Sequence, residues 1–259
     1  MSDVGRLLRG WRDTRRMSQL DLSGRSGVST RHLSFVETGR SRPTRQMLLR
    51  LAEELDVPLR ARNELLLAGG YAPAYPESEL DGPPLNDVLT ALRNVLVGHS
   101  PHPAVLIDRH WTMVDGNDGV ARFTAGCAPE LLAPPVNVLR LALHPSGMAP
   151  KIKNLPEWRT HILHRLDRQA ATTGDPVLRE LRAELAAYPG GGTTAHPDGL
   201  VVPLHYADLR FFSITTVLGT PRDVTLSELA IEAFLPADAA TATALRREMA
   251  GSGHGPWAR

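Results

Sequence analysis

Residues 18–43, SQLDLSGRSGVSTRHLSFVETGRSRP, leave this chain few ways to fold. Ser18 reads as the N-cap of a helix over 19–25, and Ser29 as the cap of another over 30–38, which Gly39 ends. Two helices this short, joined through Ser26-Gly27, must cross at a steep angle. Such a crossing needs a small residue at the contact, a glycine in the turn, and apolar residues on the inner face of the second helix. Ser23, then Gly27, then Leu22, Leu33 and Val36 meet those needs at the right mutual spacing. At about 100° per residue, Leu33 and Val36 share one side of the second helix. Arg31, Ser34, Phe35 and Thr38 then face outward, with Thr30 beside them and His32 near the buried flank.

The flanks extend the helical pattern. Leu7, Leu8 and Trp11 form an apolar stripe over 4–15. Pro43-Thr44 opens a fourth helix through Leu55, which Asp56-Val57-Pro58 stops, and a fifth spans 59–68 before Gly69-Gly70. Residues 1–70 therefore read as an all-α, five-helix domain. They hold 13 Lys and Arg against 8 Asp and Glu, a net +5, whereas the remainder of the chain carries a net −4. A basic head on an acidic body suits a nucleic-acid binder with an appended domain, although charge alone does not separate this from chance variation between segments.

The run GVSTRHLSFVETG, with Gln19 opening the helix before it, resembles the turn, recognition helix and Glu-x-Gly ending of the XRE-type (Cro/repressor-like) helix-turn-helix family. The resemblance covers residues 4–68; Ser26 departs from it, standing where an apolar residue is usual. It implies a lambda-repressor-like domain that lays the outer face of residues 30–38 in the major groove of double-stranded DNA. Arg31 then suits guanine O6 and N7, and Phe35 a thymine methyl; Ser29, Thr30, Ser34 and Thr38 complete the face. Phosphate contacts fall to Gln19 at a helix N-terminus and to Arg16, Arg40 and Arg42. Arg12 pairs with Glu37 in a structural role, and the protein binds as a homodimer. The competing reading is a helical bundle that binds protein.

Residues 71–84, YAPAYPESELDGPP, read as a linker. Residues 85–249 mix helix and strand signals, and 250–259 read as a flexible tail. A helix over 87–97 precedes two short strands, 104–108 and 111–115, around Arg109-His110, then a short helix over 117–125. Residues 136–143 are apolar apart from Arg140. Leu155, Trp158, Ile162 and Leu166 form a helical stripe, as do Leu178, Leu181 and Leu185 after Pro176. The run 189–192 is a loop, followed by strands over 200–206 and 209–218. Phe212, Ile214, Thr216 and Leu218 share one face of the latter. Residues 228–236 read as a last strand, although LSELAIEAF also suits a helix, and 237–249 as a terminal helix.

Two strands, a helical middle and three strands is the order of a PAS-like domain, and IDRHWTMVDGND looks like a PAS opening. The segments PVNVLRLALHPSGMAP, NLPEWRTHILHRL and LAIEAFLPADAAT look like the ligand-binding domain of MmyB-like regulators. The fold class is then α+β overall: the five-helix domain followed by a PAS-like α/β sensor with a five-stranded antiparallel sheet and helices on one face. The resemblance implies a pocket for a small apolar ligand, an acyl chain or fatty acid. Val105, Phe212, Ile214 and Thr216 would line it from the sheet, and Leu139, Leu143, Trp158 and Ile162 from the helices. Arg140, His144 and Arg159 are candidates to hold a carboxylate headgroup. Ordinary core packing competes for each apolar position.

Chemistry of other kinds finds little support. His161 and His164, with Glu157 a turn earlier, lack the HExxH pattern and read as a solvated helix face. There is no GxSxG elbow, P-loop or GxGxxG after a strand, so no enzyme, metal or resident cofactor is expected. The one cysteine, Cys127, has no activating partner in sequence. The absence of a membrane-length apolar run and of a secretory leader points to the cytoplasm. Two alternatives stay open: a haem- or flavin-bearing sensor using His144 or His161, and a DNA-binding protein whose C-terminal domain only dimerises.

Overall fold

The computed structural model describes residues 3–190 and 201–251. It divides into two compact units, the first built on residues 1–78 and the second on most of the remainder.

The first unit contains α1 (Asp3–Thr14), α2 (Gln19–Ser26), α3 (Thr30–Glu37), α4 (Arg45–Glu54) and α5 (Leu59–Ala68). All five helices contribute to one core around Leu8, Leu22, Leu33, Val36, Leu51 and Leu65. Ser18 and Asp21 form a reciprocal capping box at the start of α2, an arrangement that contributes about 1 kcal/mol. Gly27 has φ +67°, in the left-handed region that disfavours a side chain, and its N–H donates to Ser23 at 2.8 Å. Ser26 is fully buried, yet its hydroxyl donates to the Leu22 carbonyl at 2.6 Å and accepts from the Val28 N–H. A polar group is thus accommodated there because the turn itself satisfies it.

A close helix crossing falls on Gly5, which sequence reasoning passed over. A Cβ there would lie 2.5 Å from the Val36 carbonyl oxygen and 2.6 Å from that of Glu37. Alanine in a helix interior otherwise gains about 1 kcal/mol over glycine, so the sign of a substitution is informative. Gly5→Ala should instead lose about 1–3 kcal/mol through the clash, read as faster amide exchange in α1 and α3. Equal or slower exchange would mean that α1 and α3 do not approach this closely.

Part of the expected linker is strapped to α5. The Asn63 side chain accepts from the N–H groups of Ala74 and Tyr75 and donates to the Tyr75 carbonyl, and Arg60 pairs with Glu77 at 2.6 Å.

The second unit begins with α6 (Asn86–Gly98), β1 (Ala104–Ile107) and β2 (Met113–Gly116). Next come α7 (Ala121–Thr124), α8 (Pro129–Leu132), α9 (Val138–Leu143), α10 (Leu155–Thr173) and α11 (Pro176–Ala187). The strands β3 (Leu204–Tyr206), β4 (Leu209–Val217) and β5 (Ala230–Pro236) follow, with α12 (Val224–Ser227) between the last two and α13 (Ala239–Gly251) at the end. The five strands form one antiparallel sheet in the order β2-β1-β5-β4-β3. Residues 220–227, α12 included, belong to the first unit, where the Val224 N–H donates to the Pro76 carbonyl.

Three expectations change, and the segment around 138–143, given no element from sequence, gains one. The second strand starts at Met113 because the Asp108 carboxylate accepts from the N–H groups of both His110 and Thr112, holding a wider turn with Trp111 at φ +67°. Residues 138–143 are helical, capped by Asn137, whose side-chain oxygen accepts from Leu139 and Arg140. The sheet is not covered on one face alone: α6 packs on β1 and β2, and both alternation sets of β1, Val105 and Ile107 as well as Ala104 and Leu106, are buried. In β4 the inner face carries Phe211, fully buried, whereas Phe212 and Ile214 are 38% and 40% exposed. Phe212, Ile214 and Thr216 therefore face away from the interior, opposite to expectation. Alternation fixes which residues share a face, not which face is inside. The run 191–200 and the tail 252–259 lie outside the described residues.

Candidate nucleic-acid interface and ligand pocket

In the first unit, α3 is fixed from below by Leu33 and Val36 and from its C-terminal end by Glu37. Glu37 accepts from Arg12 Nε at 2.7 Å and Nη2 at 3.0 Å, and from Gln19 Nε2 at 2.9 Å. Both Arg12 and Glu37 are buried, and the hydrogen bond to Glu37 raises the Arg12 pKa further above its ordinary value. The pairing implied by the family resemblance is present, and it also engages the side chain of Gln19. One of the two N–H groups of the Gln19 side-chain amide is thereby committed.

The outer face of α3 is open. Arg31 and Thr38 are exposed, Thr30, Ser34 and Phe35 partly so, and Ser29 caps the helix by accepting from the His32 N–H. The Arg31 guanidinium lies 5.4 Å from the centre of the Phe35 ring, and it has no ion pair among the described residues. The stacking holds a cation and an apolar surface side by side, a pair suited to a guanine edge and a neighbouring thymine methyl. Thr38 donates to the Ser34 carbonyl at 2.7 Å, so its hydroxyl is partly committed. His32 is exposed, not on the buried flank as expected.

Arg16 and Arg40 are exposed and, among the described residues, unpaired. Arg42 differs: its guanidinium donates to the Gly69 carbonyl and lies over Tyr71, tying the loop before α4 to the end of α5. Sequence reasoning missed Arg45 and Arg50, exposed on α4. The Arg50 guanidinium comes within 2.9 Å of where a Gly27 Cβ would stand, which brings positive charge to the inter-helix turn.

In the second unit, the sheet and the helices between β2 and β3 surround a cavity of about 70 Å³. Its walls are almost wholly apolar: Val105, Trp111, Met113, Phe123, Leu139, Met148, Trp158, Ile162, Leu204 and Phe234 among them. Of the expected lining residues, Val105, Leu139, Trp158 and Ile162 are there. Phe212, Ile214 and Thr216 are on the opposite face of β4, and Leu143 is buried in the core without reaching the cavity.

None of the expected headgroup ligands reaches the cavity. Arg140 makes a paired hydrogen bond with Glu184 at the surface. His144 accepts the Ser146 N–H on Nδ1 and packs edge-on to Tyr188. Arg159 is buried and donates to the Ala186 carbonyl, joining α10 to the end of α11. The polar part of the wall is instead His161, Arg165 and Glu232. Arg165 donates to both Glu232 oxygens, at 2.7 and 2.8 Å, and to Thr215 Oγ1 at 2.5 Å. Its guanidinium also lies 4.4 Å from the Trp111 ring centre. Glu232 is 4% exposed.

His161 was expected on a solvated face. It is half-buried, stacked on Trp158 at 5.3 Å, and lines the cavity. Burial and the nearby Arg165 push its pKa below the ordinary imidazole value. The helical spacing from Trp158 and Ile162 was the available signal, since position 161 borders both on one face of α10. Cys127 is half-buried and donates to the Phe123 carbonyl, and burial pushes its thiol up. Among the described residues, no His, Cys, Asp and Glu side chains gather into a metal-holding group, and no helix is long and apolar enough to cross a membrane.

Comparison with curated proteins gave no match. Comparison with protein families gave two. Residues 8–61 match a helix-turn-helix family, and residues 88–247, more than half of the chain, match the family described as MmyB-like transcription regulator ligand binding domain. With a helix-turn-helix unit whose α3 face is open and a second unit built around an apolar cavity, the chain belongs to the MmyB-like family of ligand-responsive, DNA-binding transcription regulators.

Proposed function

We propose that the first unit reads a specific operator through α3 and that occupancy of the cavity by a small apolar molecule sets how much protein binds it. One observation carries the DNA half of this reading. Arg31 is exposed, free of ion pairs among the described residues and stacked against Phe35, on a helix whose opposite side is anchored in the core. Bidentate readout by arginine discriminates a guanine by about 1–3 kcal/mol. Arg31→Ala should therefore lose that much discrimination at one base pair of the operator, in mobility-shift titrations against the gene's own upstream DNA. Wild-type discrimination in the variant removes the assignment. Arg16, Arg40, Arg45 and Arg50 act on phosphates, so replacing one should weaken all sequences alike and flatten the salt dependence.

A homodimer would set two copies of α3 about 34 Å apart, one turn of DNA. The cavity supports the sensor half of the reading: an acyl chain or a comparable apolar body suits its walls. Extraction of the purified protein and mass spectrometry should yield such a molecule, and the mobility shift should change when it is added back. A haem or flavin absorption band would redirect the reading to a cofactor-bearing sensor with His161 as the ligand. On this reading the protein acts in the cytoplasm, where its operator DNA lies.

A further inference from the structure

Strand β4 outruns its neighbour. Its antiparallel pairing with β3 stops at Leu204 and Phe211, although β4 continues to Val217. Residues 201–203 take no part in that ladder: the Pro203 carbonyl accepts from Asn154, and Val201 is exposed. On its other side β4 stays paired with β5 from Phe211 to Val217. The Ala237 N–H donates to the Arg210 carbonyl, so in this register the even-numbered residues of β4 bond towards β5. The main-chain groups of Ser213, Thr215 and Val217 therefore point to the open side, and among the described residues nothing bonds them there.

An open strand edge is a template for another strand, and proteins ordinarily blunt it with charge, proline or a bulge. None of these is present. Residues 211–219 contain no charged residue and no proline, and the register with β5 runs without a shift. Ile214 and Val217 are 40% and 64% exposed, on opposite faces of the edge.

Symmetry identifies the occupant. Two copies of this edge, antiparallel about a twofold axis at Thr215, set Ser213 against Val217, Thr215 against itself and Val217 against Ser213. Every open rung is then filled, and no other antiparallel register of the edge with itself fills all three. The regulator reading above requires a twofold pair to meet two half-sites, and the choice of occupant rests on that reading. We infer that the open edge of β4 is the contact between two copies of this chain, joining two five-stranded sheets into one. Thr215, at the axis, also bonds Arg165 and Glu232 of the cavity wall, so the contact and the cavity share a side chain.

Sedimentation velocity on the full-length wild-type protein, at micromolar concentrations, should give the mass of two chains. Val217→Pro deletes an N–H on the open side and no hydrogen bond within the subunit, so the dimer dissociation constant should rise at least about tenfold. Ile214→Lys supplies the charge that the edge lacks and should do the same. Val97→Lys, at an exposed position of α6 away from the edge, should leave the mass unchanged. A monomeric wild-type protein, or a dimer that the edge variants leave at wild-type strength, overturns the inference. Equal weakening by Val97→Lys overturns it too, by placing the contact elsewhere. Mobility shifts keep the two readings apart. An edge-insensitive dimer that still discriminates its operator retains the regulator reading without the interface; an edge-sensitive dimer with no base preference retains the interface and ends the regulator reading. If Val217→Pro fails to fold, Ile214→Lys decides.

Discussion

Glu37→Ala should destabilise the first unit by about 3–5 kcal/mol and abolish specific DNA binding. Glu37 is 3% exposed and receives three hydrogen bonds, two from Arg12 and one from Gln19. Removing it leaves the Arg12 guanidinium, 9% exposed, with no partner for Nε, although Met17 and Asp13 still hold Nη1. A buried arginine does not shed its charge, so much of its desolvation cost falls on the folded state once Nε and Nη2 lose their acceptor. The loss should appear as amide exchange accelerated together in α1, α2 and α3, the three helices that the carboxylate joins. A double replacement, Arg12→Met with Glu37→Leu, should recover most of the stability, because an apolar pair of similar volume leaves no orphaned charge. A single variant costing under about 1 kcal/mol would mean that the pair behaves as a solvated surface bridge.

In the second unit, Phe211→Ala should cost about 3–5 kcal/mol, and Phe212→Ala about 1 kcal/mol or less. The two residues are neighbours in one strand and identical in chemistry, and only the face differs. Phe211 is fully buried and meets Phe123 edge-to-face at 5.5 Å; Phe123 also meets Tyr206 and Phe234 in the same way. Truncating Phe211 leaves a void against Phe123, the ring at the centre of that aromatic cluster, whereas Phe212 is already 38% in water. Urea denaturation of the two variants separates the possibilities. Equal losses, or a larger loss at Phe212, would show that β4 presents its other face to the interior. Because Phe123 lines the cavity, Phe211→Ala should also alter apolar-probe affinity, and Phe212→Ala should not.

These two cases mark how far the sequence could be read. In the first unit the reading reached individual side chains, including the Arg12–Glu37 pair and the Ser18, Ser29 and Thr44 helix starts. Helix periodicity, caps and a left-handed glycine are local signals, and within some forty residues the packing follows from them. In the second unit the strands and helices were legible, but the polar wall of the cavity was not. Arg140 and Arg159 were chosen by their place in familiar-looking segments; each turned out to bond a group on α11 or just before its end, which no local pattern reveals. Arg165, His161 and Glu232 went unremarked as a group because two lie on α10 and the third on β5, 67 positions from Arg165.

By itself the sequence determined the helix-turn-helix, the outward set on α3 and the alternation in the strands. Each of these follows from interactions between residues close along the chain, where spacing and stereochemistry suffice. Only the tertiary structure decided which side of β4 is inside, that Arg165 pairs with Glu232, and that His161 lines an apolar cavity. Those outcomes depend on which distant side chain satisfies each buried polar group, and burial makes that choice through space rather than along the backbone.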